Sequence, residues 1–187
     1  MKHFDELYEL AVDAYGLITA SQAAELGIAA SELNRWCMAG RLERRGQGVY
    51  KLTRYVPTPF DAYAEAVVLA GKDAYLHGEG VLAMHGLALV NPSEIAVATP
   101  HRVRRRLPAW VHLVKADPSD VVTCYQGIPA QTLAGAILAC QGSVMSERLI
   151  QAVDEAYGEG LITHAEQTML KGELHGSGED SEQQTSP

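Results

Sequence analysis

No window of the sequence holds the roughly 18 consecutive apolar residues that a membrane-spanning helix needs, although 47% of its 187 residues are hydrophobic. The apolar residues are spread through amphipathic patterns, enough for the core of one domain or two small ones. Cysteine is scarce. Cys37, Cys124 and Cys140 are odd in number and sit in apolar surroundings. They are expected as reduced core residues, which argues against a disulfide scaffold and suits a cytoplasmic protein. Positive charge is in deficit, with 15 Lys and Arg against 23 Asp and Glu and a formal net charge of −8. That balance argues against a general nucleic-acid coat, so any duplex contact must come from a local patch. Acids interrupt the apolar pattern of MKHFDELYELAV, unlike a signal peptide. Catalytic signatures are also missing: there is no Walker-type loop, no His-Glu-x-x-His and no Gly-x-Ser-x-Gly. Asp154 and Glu155 are adjacent on a predicted helix and point in different directions. His77 and His85 lack a cysteine or carboxylate at useful spacing to complete a metal set. Neither an enzyme nor a cofactor is expected.

What is present is concentrated in residues 19–52, TASQAAELGIAASELNRWCMAGRLERRGQGVYKL. Thr19 is a good N-cap, and Gln22 stands at the capping-box spacing. Gly27 should end the first helix. A second helix over 30–39 turns Leu33, Trp36 and Cys37 inward and leaves Ser31, Asn34, Arg35 and Met38 on the other face. Residues 42–45 and 49–52 flank Gly46-Gln47-Gly48, a hairpin signal. Two short helices with a tight turn and a basic hairpin predict a winged helix–turn–helix whose second helix fits the major groove. The alternative is a plain helical core with a surface hairpin. Charge favours the former. Residues 31–54 carry six basic residues (Arg35, Arg41, Arg44, Arg45, Lys51, Arg54) against Glu32 and Glu43, a net +4 on an acidic chain. Phosphate binding requires such a stripe.

GLITASQAAELGI, a helix with Leu33 and Trp36, and then GRLERRGQGVYKL together resemble the N-terminal winged-helix domain of the AbiEi family, the antitoxins of type IV toxin–antitoxin systems. His85-Gly86-Leu87 echoes a segment of the same family. The resemblance implies a bacterial DNA-binding autorepressor that recognises promoter repeats. It also implies a C-terminal half that counters a nucleotidyltransferase toxin without a stable complex. The family often carries an arginine and an aspartate around the helix expected at 128–140. Here those places hold Gln131 and Ala136, so no role is assigned to such a pair.

The fold class expected is α+β: the winged helix over 1–54, a linker over 55–59, and a mixed domain over 60–173 with a short antiparallel sheet and C-terminal helices. A polar, acidic tail over 174–187 should be disordered. Helices are predicted over 4–15, 60–70, about 80–84, 128–140 and 145–157, with a last one after the capping box Thr163–Glu166. Strand-like runs at 94–99, 110–115 and 120–126 supply the antiparallel sheet. Residues 101–106, HRVRRR, are the densest basic run; Arg102, Arg104, Arg105 and Arg106 form a solvated loop, a second backbone contact or a docking patch for an acidic partner. Residues 121–187 hold nine acids against Arg148 and Lys171, a net −7.

Asn34 can read adenine and Arg35 guanine. Ser31 sits where helix N–H groups favour phosphate. Arg41 and Lys51 extend the stripe, and Arg44, Arg45 and Gln47 at the hairpin would grip backbone or minor groove. On this reading Arg45→Ala weakens binding to all sequences and flattens the salt slope by about 1. The reading requires Asn34 and Arg35 to be exposed and the hairpin to stand clear of the C-terminal half. Double-stranded DNA is the expected partner, self-association on it is compatible, and no membrane is involved. A solitary regulator without a toxin, or a protein-docking module, is the alternative.

Overall fold

The computed structural model describes residues 2–182, whose buried apolar residues form two clusters. The smaller cluster is N-terminal. Helix α1 (Lys2–Val12) contributes Leu7 and Ala11. Strand β1 (Leu17–Thr19) follows; the β-branched Ile18 and Thr19 mark it in hindsight, although only a helix start was expected there. Thr19 then caps α2 (Ala20–Glu25): its hydroxyl accepts from the Gln22 N–H at 3.2 Å and its own N–H donates to Gln22 Oε1 at 2.9 Å. Helix α3 (Ala30–Met38) buries Leu33 and Trp36 against this core. Strands β2 (Leu42–Gly46) and β3 (Val49–Leu52) form the hairpin, and β1 adds antiparallel to β3, giving the order β1-β3-β2.

The larger cluster surrounds α4 (Asp61–Ala70). This helix buries Asp61, Ala64, Glu65, Ala66, Val67, Leu69 and Ala70, so it is a core element covered on most sides rather than a surface one. Its contacts run to β1 as well as to the C-terminal sheet. That sheet comprises β4 (Tyr75–Leu76), β5 (Ile95–Thr99), β6 (Val111–Lys115), β7 (Val122–Tyr125) and β8 (Ile128–Gln131) in the order β6-β5-β4-β8-β7. It is mixed, not antiparallel as expected: β5 pairs parallel to β6, and β4 parallel to β8. The basic segment between β5 and β6 is long enough to return the chain to the same edge, which a tight hairpin cannot do. A second correction concerns 128–140. Residues 128–131 pair with β7 across a Gln126-Gly127 turn, and only Leu133–Ala139 (α6) is helical, starting where the Thr132 hydroxyl accepts from the Gly135 N–H at 3.3 Å. Proline at 129 favours the extended pairing over a continuous helix.

Helix α5 (Glu79–His85) lies before β5. Helices α7 (Ser146–Gly158) and α8 (His164–Glu182) pack together and on α6. The second capping box forms as expected, with the Thr163 N–H donating to Glu166 at 2.7 Å. Leu174 is buried four residues after buried Leu170, and α8 continues to Glu182, so the segment expected as a disordered tail is helical as far as it is described. Residues 183–187 lie outside the described residues. No helix among those described is long and apolar enough to cross a membrane.

The two halves meet closely. Leu17 and Val49 of the N-terminal sheet belong to the C-terminal cluster. The Tyr15 hydroxyl donates to the Gln126 carbonyl. Segment 53–60 is pinned as well: Tyr55 packs on the N-terminal cluster, and the Thr58 N–H and hydroxyl donate to Asp61 at 2.9 and 2.7 Å. The cysteines divide differently from expectation. Cys140 is buried, Cys37 is half-buried and Cys124 is exposed on edge strand β7; all three are free. Burial pushes the Cys140 thiol up to about 12, so it stays protonated at neutral pH.

Candidate nucleic-acid interface

Helical periodicity arranges the first surface. Ser31, Asn34, Arg35 and Met38 fall at the spacing that shares one face of a helix, and all four are exposed, Met38 at 91%. The opposite residues Leu33 and Trp36 hold the helix down. Phe4 of α1 meets Trp36 edge to face at 5.1 Å, and the Arg41 guanidinium lies 4.8 Å over the Phe4 ring. Arg41 is thereby fixed beside the end of α3 while remaining exposed. Arg35 donates to Glu32 at 3.2 Å, but its side chain is 69% exposed. A surface pair at this helical spacing is worth only about 0.3–0.5 kcal/mol, so a phosphate or base edge can replace Glu32.

The hairpin has two faces with different fates. Alternation along β2 puts Arg44 on the α3 side, near enough to Cys37 to act on its thiol. Arg44 is exposed, with its Nε 3.3 Å from the Gly46 carbonyl. Glu43, Arg45 and Lys51 turn toward α4. Arg45 Nε donates to Glu65 at 2.7 Å and its Nη1 to Glu43 at 2.8 Å. Lys51 Nζ donates to Asp61 at 2.7 Å and lies 3.8 Å from Glu65. Glu65 is 5% exposed, Lys51 18% and Arg45 34%. The Glu65 hydrogen bond is the main cause that raises Arg45 above its usual value. For Asp61, burial opposes ionisation, but the hydrogen bonds from Lys51 and Thr58 outweigh it and hold the carboxyl below the usual range.

This pairing corrects the expectation for the hairpin. It does not stand clear of the C-terminal half but folds against it, so one of the two conditions set for the DNA-binding reading fails. What remains for a duplex is the α3 face with Arg41 and Arg44, which stay exposed. Arg45 and Lys51 clamp the wing to α4, and each already has a carboxylate partner. The close approach is visible at Gly46, where an added Cβ would lie 2.5 Å from Leu69 Cδ2. Sequence reasoning counted the basic residues of the hairpin without assigning them to its two sides. The period-2 rule separates Arg44 from Arg45, and the acids at 61 and 65, one helical turn apart at the start of α4, were the other half of the signal.

The wing tip continues toward the basic loop. Gln47 and Lys72 share a shallow groove with Arg102 and Arg104. Arg102, Arg104 and Arg106 are exposed, whereas Arg105 turns inward against Gly71. His101 anchors the loop through Asp73 at 3.0 Å. The structure therefore gathers Ser31, Asn34, Arg35, Arg41 and Arg44 near α3, and Gln47 with Arg102 and Arg104 at the wing tip. It removes Arg45 and Lys51 from both groups. Buried Gln131, one of the places where the resemblance calls for charge, donates to Asp120 at 2.8 Å and accepts from the Gly78 N–H at 3.2 Å. It ties β8 to the start of α5 and is not aimed at solvent. Among the described residues, no three His, Cys, Asp or Glu gather as a metal site.

Residues 5–53 match the family model described as transcriptional regulator, AbiEi antitoxin. The AbiEi match runs from α1 to the end of the wing and includes the α3 face and both faces of the hairpin. The N-terminal region is therefore similar to AbiEi-type transcriptional regulators. No curated protein matches the chain. Among solved structures, the RV2827C protein from Mycobacterium tuberculosis is similar, with a TM-score of 0.50 and 13% identity over 91% of this chain and 71% of its own. At that identity the likeness is one of fold, and it extends well past the AbiEi match into the C-terminal half.

Proposed function

We propose that the protein is a sequence-specific DNA-binding autorepressor of the AbiEi type, acting as the antitoxin of a type IV toxin–antitoxin system in the cytoplasm. The observation that carries the DNA-binding part is the exposed face of α3, with Asn34 and Arg35 projecting beside Arg41 and Arg44. Asn and Arg are the side chains that pair bidentately with adenine and guanine edges in the major groove. Arg41 and Arg44 neutralise phosphates on either side, and the wing tip with Arg102 and Arg104 prolongs that contact along the backbone. The family match supports a regulator and antitoxin. The nucleotidyltransferase toxin, opposed without a stable complex, follows from the resemblance alone. The reading is of a binding protein with no chemistry of its own.

The test is a mobility shift of the full chain on the DNA upstream of its own gene, with a scrambled duplex of equal length as control. Arg35→Ala costs about 1–3 kcal/mol on the specific duplex and relaxes one base preference. Binding to the scrambled duplex changes little. Specific binding that survives Arg35→Ala and Asn34→Ala unchanged contradicts the assignment.

A further inference from the structure

A cleft of about 1240 Å³ opens between the first turn of α2, the wing tip and the C-terminal sheet. Val67 and Val68 of α4, Val49 of the wing and Pro129 of β8 contribute its apolar wall. Small-molecule sites have this composition, a mostly apolar concavity with a few convergent polar groups. Three carboxylates line it, and each already has partners. Asp73 meets His101 at 3.0 Å, Asp117 accepts from the Ser119 hydroxyl at 2.6 Å, and Asp120 accepts from Tyr75 at 2.6 Å and from Gln131 at 2.8 Å.

The two cations on the same wall differ. Neither Lys72 nor Arg105 forms an ion pair among the described residues. Arg105 turns away from its exposed neighbours, and its guanidinium lies over Gly71, where a Cβ would collide with Nη2. Gly71 has φ +114, a conformation that favours glycine, so the backbone is built to leave this space. Arg105 Nε is buried and has no hydrogen-bond partner. Buried in this way, Nε is out of a ligand's reach, and an anion in the cleft would meet the Nη groups of the same guanidinium. The lining as a whole carries three carboxylates against two cations, so an anion can be held only locally. That place is where Arg105 and Lys72 lie at Gly71 without a carboxylate partner among the described residues, and the apolar wall offers a place for an attached ring or chain.

The geometry points to a binding site for a small organic acid in this cleft, its anionic group held by Arg105 with Lys72 and its ring or chain laid on Val67 and Val68. The ligand would touch α2, the wing and the C-terminal half at once. The cleft borders the wing-tip surface of the DNA-binding reading, since Gln47 and Lys72 line both, but its test needs no DNA.

The probe is 8-anilinonaphthalene-1-sulfonate, an aromatic body with one sulfonate, titrated into the folded full chain by fluorescence. Its neutral counterpart, N-phenyl-1-naphthylamine, lacks only the anion. The expected result is one saturable site for the sulfonate, at least tenfold tighter than for the neutral compound. Arg105→Gln removes most of that difference, and Lys72→Ala, at an exposed position, reduces it about threefold. Ala116→Trp, which fills the cleft, blocks both compounds. Amide shifts on titration gather at Val67, Val68 and Ala116. Equal affinity for the charged and neutral probes, sulfonate binding untouched by both Arg105→Gln and Lys72→Ala, or shifts centred elsewhere would overturn the proposal.

Discussion

Arg44 and Arg45 are consecutive, yet the pleat of β2 sends one toward α3 and solvent and the other onto α4. Glu65 and Asp61, one helical turn apart, receive Arg45 and Lys51 from the hairpin. Asp61 shows how the pairing depends on pH. Burial raises its pKa, but Lys51 and Thr58 lower it further, leaving the folded value below the ordinary one. A carboxyl with a depressed folded pKa stabilises the protein fully above its unfolded value, about 3.9, and loses that contribution as the pH falls through the folded value. Asp61→Asn is therefore less stable than the parent at pH 6, and the gap closes below about pH 4. Urea unfolding across pH 3–7 measures it; a gap independent of pH contradicts the pairing. The neighbours of Asp61 were hard to read from sequence. The hydrogen bonds of Thr58 to Asp61 are local, but the lysine that also holds its ionised form is ten residues away across the segment before α4.

At the scale of elements, the wing and α4 form one packed unit. Gly46 permits it, because a Cβ there would press on Leu69 inside the larger cluster. Gly46→Ala should cost about 1–3 kcal/mol, the usual penalty for overfilling a packed site. Leu69→Val in the same chain should recover part of it, as thermal unfolding of the single and double variants will show. No recovery would place the strain elsewhere. The elements differ in how legible they were. Helix α3 could be read face by face, since its 3.6-residue period, its glycine stop and its inward Leu33 and Trp36 are all local. Both capping boxes were legible for the same reason. The mixed sheet was not. The runs of β5, β6 and β7 were visible and the two-residue β4 was not, and parallel pairing of β5 with β6 depends on the path of the intervening basic loop, which periodicity does not encode. Strand β8 was absorbed into α6 because Ile128, Leu133 and Ile137 suit either state. The burial of α4 was missed because its many alanines leave the helical pattern open on the side that meets the wing.

The whole molecule is polar in charge. The positive groups of α3 and the outward wing face belong to the N-terminal part of the chain, and the basic loop between β5 and β6 meets them at the wing tip through Gln47. Helices α7 and α8, which carry most of the acids of the last third, pack with α6 in the larger cluster, and among the described residues none of their side chains enters the cluster under α3. An acidic chain can thus present a cationic surface to a duplex, provided the wing is braced and its outward arginine is free. The most direct test compares Arg44→Ala with Arg45→Ala in the full chain, measuring the salt dependence of binding to the upstream duplex together with thermal stability. Arg44→Ala should lower the slope of log K against log salt by about 1 and leave stability nearly unchanged. Arg45→Ala should keep the slope and cost about 1–3 kcal/mol of folding free energy, because it leaves the buried Glu65 without its closest partner. The opposite pattern, a flattened slope for Arg45→Ala with unaltered stability and no change for Arg44→Ala, would contradict the account.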